Sequence, residues 1–175
     1  MKDGGYAYIS DGALVVDVKE ETDTKEIPPC IVLKSDGAAL YNTTDLATIK
    51  MRMNDFAPDK MIYVTDKRQD LYFEQVFRCA KKTKLVKPET ELFHIGFGTM
   101  NGKDGKPYKT RSGGVPRLEN LIDEINVEML HKIKENAELK GYQIDETEAE
   151  KTAKIVGLAA IKYGDLSNQP AKDYV

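Results

Sequence analysis

Three side chains, Tyr41, Asp45 and Gln69, together with the segment HIGFGTMNGKDGKPYKTRSGG at 94–114, hold the chemistry in this chain. An aromatic ring, a carboxylate and an amide converging at one sheet edge could hold a small cation such as a guanidinium. The carboxylate would accept two parallel hydrogen bonds and the ring face would meet the charge. Periodicity alone does not choose the cation. Asp45 and Gln69 also have plainer explanations. Asp45 falls where a helix N-cap is expected, and capping accounts for an Asp or Thr there. Gln69 lies four residues before Phe73 on the apolar stripe of its helix, where a buried amide needs a partner, yet a polar first-turn residue is equally ordinary.

The second group is the glycine- and lysine-rich loop. Its run Gly98-x-x-x-Gly102-Lys103-Asp104 fails the phosphate loop of P-loop enzymes, which needs four residues between the glycines and a hydroxyl after the lysine. Asp104-Gly105 is a two-residue hairpin signal, so one account is a β-hairpin with solvated lysines at its tip. The other is a closing loop, in which Lys109, Arg111 and Ser112, flanked by glycines, move over a triphosphate and neutralise charge on a leaving pyrophosphate. Residue physics leaves both open.

These residues need a frame. Ligands of open parallel sheets sit beyond the carboxyl ends of the strands, which directs attention to the residues after GAALY, MIYVT and ELFHIGF. YAYI, an SDG turn and ALVVDV read as a hairpin. KEETDTKEIPP is a loop before the apolar strand CIVLK. GAALYN is expected as a strand running into a helix over LATIKMRM. MIYVT is a buried strand before a helix in which Phe73, Val76, Phe77 and Ala80 have helical spacing, and ELFHIGFG is a further strand. Strands alternating with helices imply an α/β fold with a mostly parallel sheet. Beyond it, LENLIDEINVEMLHKIKENAELK and ETEAEKTAKIVGLAAIKYGDL form an antiparallel helical pair, the first with a stripe of Leu118, Leu121, Ile122, Ile125, Met129 and Ile133.

The bulk numbers exclude several classes. At 41% hydrophobic and 31% charged, the chain is globular in composition. No apolar run approaches the ~20 residues of a membrane span, and the start MKDGGYAYISDG lacks a signal peptide's basic and apolar regions, so a cytoplasmic protein with no membrane partner is expected. Cys30 and Cys79 form no CxxC pair, and with His94 and His131 the only histidines no metal site is expected. A net charge of -3 argues against a uniformly basic surface. The cations are nonetheless clustered, Lys81, Lys82, Lys84 and Lys87 in one run and Lys103, Lys106, Lys109, Arg111 and Arg117 in another, which can focus an anion locally.

YNTTDLATIK, MIYVTDKRQDLYFEQVF, HIGFGTMNGKDGKPYKTRSGGVPRLENLIDEI and VGLAAIKYGDLSNQPAKDYV, in this order, resemble arginyl-tRNA synthetase, a class I aminoacyl-tRNA synthetase. The resemblance implies the second half of a Rossmann-type catalytic domain. It places a hairpin and connecting insertion over 1–35, the catalytic half over 36–116 and a helical linker region over 117–175, as one compact piece of a larger enzyme. It further implies activation of arginine with ATP to arginyl-adenylate, with Mg2+ in the intact enzyme, and transfer to tRNA(Arg). By position, Tyr41, Asp45 and Gln69 match the residues that recognise arginine. KPYKTRSGG takes the place of the KMSKS signature, with Lys106, Lys109 and Arg111 as catalytic cations. His94, Gly96, Lys109 and Ser112 fall to ATP, His94 near where adenine would stack. Two departures matter. The loop reads KTRSG, which leaves open whether Lys106 or Lys109 serves the phosphates, and the HIGH signature is absent, HIGF not being its equivalent. The 175 residues alone are therefore expected to be inactive, with self-association through an exposed sheet edge. The alternative is a non-catalytic, synthetase-like binding module for a small cationic ligand or nucleic acid.

Overall fold

A computed structural model describes residues 1, 4–99, 101, 105–106 and 117–173. They fall into two compact units, 1–97 and 98–175.

The first unit opens with the expected hairpin, β1 (Tyr8–Ser10) against β2 (Ala13–Val16). Asp11 and Gly12 turn the chain with φ of 48° and 79°, as the twist of a two-residue hairpin demands. β3 (Cys30–Leu33) adds antiparallel to β2, with a register shift between Leu14 and Val15. Alternation along β3 buries Cys30 and Val32 and exposes Ile31.

The stretch GAALYN does not form the expected strand. Gly37 at φ 80° closes a turn in which Lys34 N–H donates to Ala38 O, and α1 (Tyr41–Phe56) begins four residues later. Thr43 explains the outcome: its hydroxyl accepts from Leu40 N–H at 3.0 Å and donates to Val32 O, so the helix start is capped and tied to β3 in one step. Leu40 therefore holds the cap position where Asp45 was expected, and Asp45 sits inside the helix.

The parallel part of the α/β fold consists of β4 (Lys60–Asp66) and β5 (Glu91–Phe97), in register from Lys60↔Glu91 to Asp66↔Phe97. Between them come a 3₁₀ turn, Lys67–Gln69, and α2 (Asp70–Lys82). The predicted stripe of α2 packs inward: Phe73, Val76 and Ala80 are buried, joined by Cys79, and Phe77 packs against them. Val76, Cys79 and Ala80 meet Val16, Cys30, Leu46, Ile49 and Met61 in one core that couples β2, β3, α1 and β4. Burying one such aliphatic side chain contributes roughly 1.5–3 kcal/mol. Asp70 in the first turn of α2 and Lys81 and Lys82 in its last complement the helix dipole.

In the second unit α3 (Leu118–Lys140) and α4 (Glu146–Leu166) pack antiparallel over the bounds expected from their patterns. Gly141, at φ 70°, ends α3, and Asp145 caps α4 by accepting from Glu148 N–H at 3.1 Å. Small residues set the contact: Ala137, Ala149, Ala153 and Gly157 are buried, and a Cβ on Gly157 would lie 2.7 Å from Asn126 Oδ1.

Candidate functional site

α1 and the turn before α2 bring the expected cation-binding residues together. Tyr41 opens α1 and is 84% exposed, and Asp45, one helical turn later, lies on the same face. Gln69 ends the 3₁₀ turn that follows β4. The turn is set by Asp66, whose carboxylate accepts from Arg68 N–H at 2.8 Å and pairs with the Arg68 guanidinium at 2.7 Å. Tyr41, Asp45 and Gln69, with Arg68 and Tyr72, line one open concavity of about 260 Å³. Gln69 is exposed, so it is not part of the buried stripe of α2.

Arg68 and Tyr72 have no counterpart in the residues singled out from sequence. Tyr72 is the more telling, because its hydroxyl donates to Asp45 Oδ2. Burial, and then that bond to Asp45, push the phenol above the usual tyrosine range. No spacing signal could have found this pair, which lies 27 residues apart. Chemically, the concavity offers a half-buried carboxylate with one oxygen committed to a neutral donor, an exposed aromatic ring and an amide. That set suits a cation bearing several N–H groups.

His94 is placed elsewhere. From β5 its ring bridges two neighbours, Nδ1 to Asp70 Oδ1 at 2.9 Å and Nε2 to Thr65 Oγ1 at 2.7 Å. One ring face stacks on Phe73, with centroids 4.7 Å apart, and the side chain is 9% exposed. It lines a second concavity of about 410 Å³ with Glu20, Asp70, Glu74, Phe77, Arg78 and Lys81. Gly96, two residues on, permits a close approach: a Cβ there would lie 2.8 Å from Asp70 Oδ1 and 2.8 Å from the Lys67 Cα. The glycine thus lets β5 pass tightly beneath the turn that carries Gln69.

Arg78 organises the rim of this second concavity. Its guanidinium makes two 2.7 Å bonds to the Asp23 carboxylate, a 2.6 Å bond to Glu74 and a 3.2 Å bond to Val18 O. The fork of Arg78, and then the Glu20 N–H that donates to Asp23 Oδ2 at 2.8 Å, pull the Asp23 carboxyl down to about 2.

Of the loop residues, Lys106 lies in a bend. Lys109, Arg111 and Ser112 lie outside the described residues. Among the described residues no group of three or more His, Cys, Asp or Glu could hold a metal ion. Among them, too, no helix is long and apolar enough to cross a membrane.

The family described as tRNA synthetases class I (R), catalytic domain, matches residues 1–175. The chain is 68% identical over 176 aligned positions to the arginine–tRNA ligase of Agathobacter rectalis, covering 100% of this chain and 30% of that one. It is 58% identical to the arginine–tRNA ligase of Alkaliphilus oremlandii, covering 100% of this chain and 29% of the relative. It thus spans about 30% of the length of these curated relatives. Among solved structures, the arginyl-tRNA synthetase of Plasmodium falciparum superposes with a TM-score of 0.77 at 25% identity, over 99% of this chain and 27% of that one. The Thermus thermophilus arginyl-tRNA synthetase, at 18% identity, shares the fold with a TM-score of 0.73 over 96% of this chain and 32% of its own.

Proposed function

The chain belongs to the class I arginyl-tRNA synthetase family, and on that premise we propose that it supplies the arginine-binding wall of an arginine–tRNA ligase. The ligase joins arginine to ATP as arginyl-adenylate with release of pyrophosphate, then passes the arginyl group to the terminal adenosine of tRNA(Arg). In this reading Asp45 accepts the guanidinium N–H groups, Tyr41 covers the cation and Gln69 completes the polar rim. The observation that carries it is the meeting of these three residues in one concavity, from two elements 24 or more residues apart in sequence.

Lys106, Lys109 and Arg111 are assigned to charge developing on the leaving pyrophosphate, and Lys109 and Ser112 to the ATP phosphates, with His94 and Gly96 toward the adenine. Mg2+ is expected to enter with ATP in the complete enzyme. Residues 1–35, 36–116 and 117–175 correspond in this account to an insertion, a catalytic half and a helical linker region. The enzyme works in the cytoplasm. The 175 residues alone form no adenylate, because in-line attack needs an opposing wall that holds ATP, and exposed strand edges favour pairing with a second copy.

Isothermal titration of the chain with arginine, and with lysine as control, tests the pocket. Arginine-selective binding is expected in the parent and is lost in Asp45→Ala and Gln69→Ala. No heat at millimolar arginine would overturn a self-sufficient amino-acid pocket in these residues.

A further inference from the structure

We propose that Tyr72 is a positioning residue that sets selectivity for a guanidinium over an ammonium, by holding the Asp45 carboxylate in one plane. The inference deepens the arginine-pocket reading and rests on it for the identity of the ligand, though not for the geometry.

Among the described residues the hydrogen-bond partner of the Asp45 carboxylate is Tyr72. The cap of α1 is made by Thr43, and Asp45 projects from the second turn toward α2, where the Tyr72 hydroxyl donates to Oδ2. A carboxylate on a helix surface turns easily about its last torsion, which is broad and two-fold. One bond to one oxygen removes that freedom while leaving Oδ1 and the remaining lone pair of Oδ2 open to a ligand.

The donor is itself held firmly. Tyr72 is half-buried, and its ring meets Phe73 edge-on, with centroids 5.1 Å apart and planes at 87°. Phe73 is 4% exposed and further braced by Tyr63 at 5.1 Å, Phe77 at 5.6 Å and the stacked ring of His94. The hydroxyl therefore reports the position of a packed aromatic cluster to a carboxylate on another helix.

A plane matters for one ligand class only. A guanidinium presents parallel N–H groups in a rigid fork and pairs best with a carboxylate lying in the same plane. An ammonium is a compact point charge with rotatable donors and donates to a carboxylate in any orientation. Fixing Asp45 thus favours arginine while doing little for lysine.

The test is titration of the parent, Tyr72→Phe, Asp45→Asn and the double variant with arginine and with lysine. Tyr72→Phe keeps the ring, and its thermal melt is compared with the parent to show that the cluster stands. Losing one hydrogen bond is expected to weaken arginine about 3- to 10-fold and leave lysine nearly unchanged, so the ratio of the two affinities narrows. In the Asp45→Asn background the same substitution should cost nothing further. An undiminished loss there would mean that the hydroxyl acts on the ligand directly, and would overturn the proposal. Equal weakening toward arginine and lysine would overturn it too.

Crystal structures of the parent and Tyr72→Phe without ligand decide the geometry separately. A turned or doubly oriented Asp45 in the variant supports positioning even if the parent binds no arginine, in which case only the arginine reading falls. An Asp45 carboxylate unmoved by Tyr72→Phe sinks the proposal whatever the titrations give.

Discussion

Asp45 and Asp23 are both carboxylates docked against α2, and they are used in opposite ways. Asp23 is enclosed by the fork of Arg78, with both oxygens bonded to the guanidinium at 2.7 Å and 7% of its side chain exposed. Its charge is spent inside the fold, fastening the loop after β2 to α2. Asp45 receives a neutral hydroxyl on one oxygen, pairs with no cation among the described residues, and faces an open concavity. A carboxylate that a protein neutralises is architecture. One that it orients but leaves charged is available to a cation from outside.

Phe73 is where the two regions share support, and its loss should disturb both. It braces Tyr72 on one side and His94 on the other, and is 4% exposed. Phe73→Ala is expected to cost about 3–5 kcal/mol, the usual range for emptying a buried aromatic site. A urea unfolding curve reads this directly. A cost below about 1 kcal/mol would show that the aromatic cluster is not what holds Tyr72 against Asp45.

The acid response of Asp23 sharpens the contrast. Its folded carboxyl titrates at about 2, below the value near 4 of an unfolded aspartate. A group depressed in the folded state contributes stability that is complete above about pH 4 and is lost as pH falls through about 2. Melting temperatures between pH 5 and pH 2 should therefore decline, and Arg78→Gln should both lower the melting temperature at neutral pH and flatten that decline. If the variant keeps the parent's acid profile, Arg78 is not the cause of Asp23's depression.

Much of the frame was legible in the sequence because the signals were local. Gly141 and Asp145 mark the end of α3 and the start of α4, and the SDG turn marks the hairpin. The stripe of α2 follows from the spacing of Phe73, Val76 and Ala80 alone. Tyr41, Asp45 and Gln69 were legible as positions at the starts of elements, where sheet ligands gather. GAALYN was misread because its apolar run resembles a strand, while the deciding bonds run from Thr43 to Leu40 and to Val32. The Tyr72–Asp45 bond was out of reach for the same reason, since neither pattern nor propensity links a phenol on one helix to a carboxylate 27 residues earlier.

Glu146 extends the series to a carboxylate with neither enclosure nor orientation. It pairs with Lys134 at 2.6 Å across the start of α4, but the two side chains are 63% and 42% exposed. Water and salt screen such a pair, and holding two long side chains together costs entropy, so Lys134→Ala is expected to destabilise by about 0.2–1 kcal/mol. Asp145 still caps α4 in that variant, so the helix start is not what the substitution removes. At 1 M salt, where the screening length falls to about 3 Å, the difference between parent and variant should vanish in a denaturant titration. A larger, salt-resistant loss would mean that a short distance alone makes an ion pair strong. Enclosure would then no longer explain why Asp23 behaves as structure and Asp45 as a site.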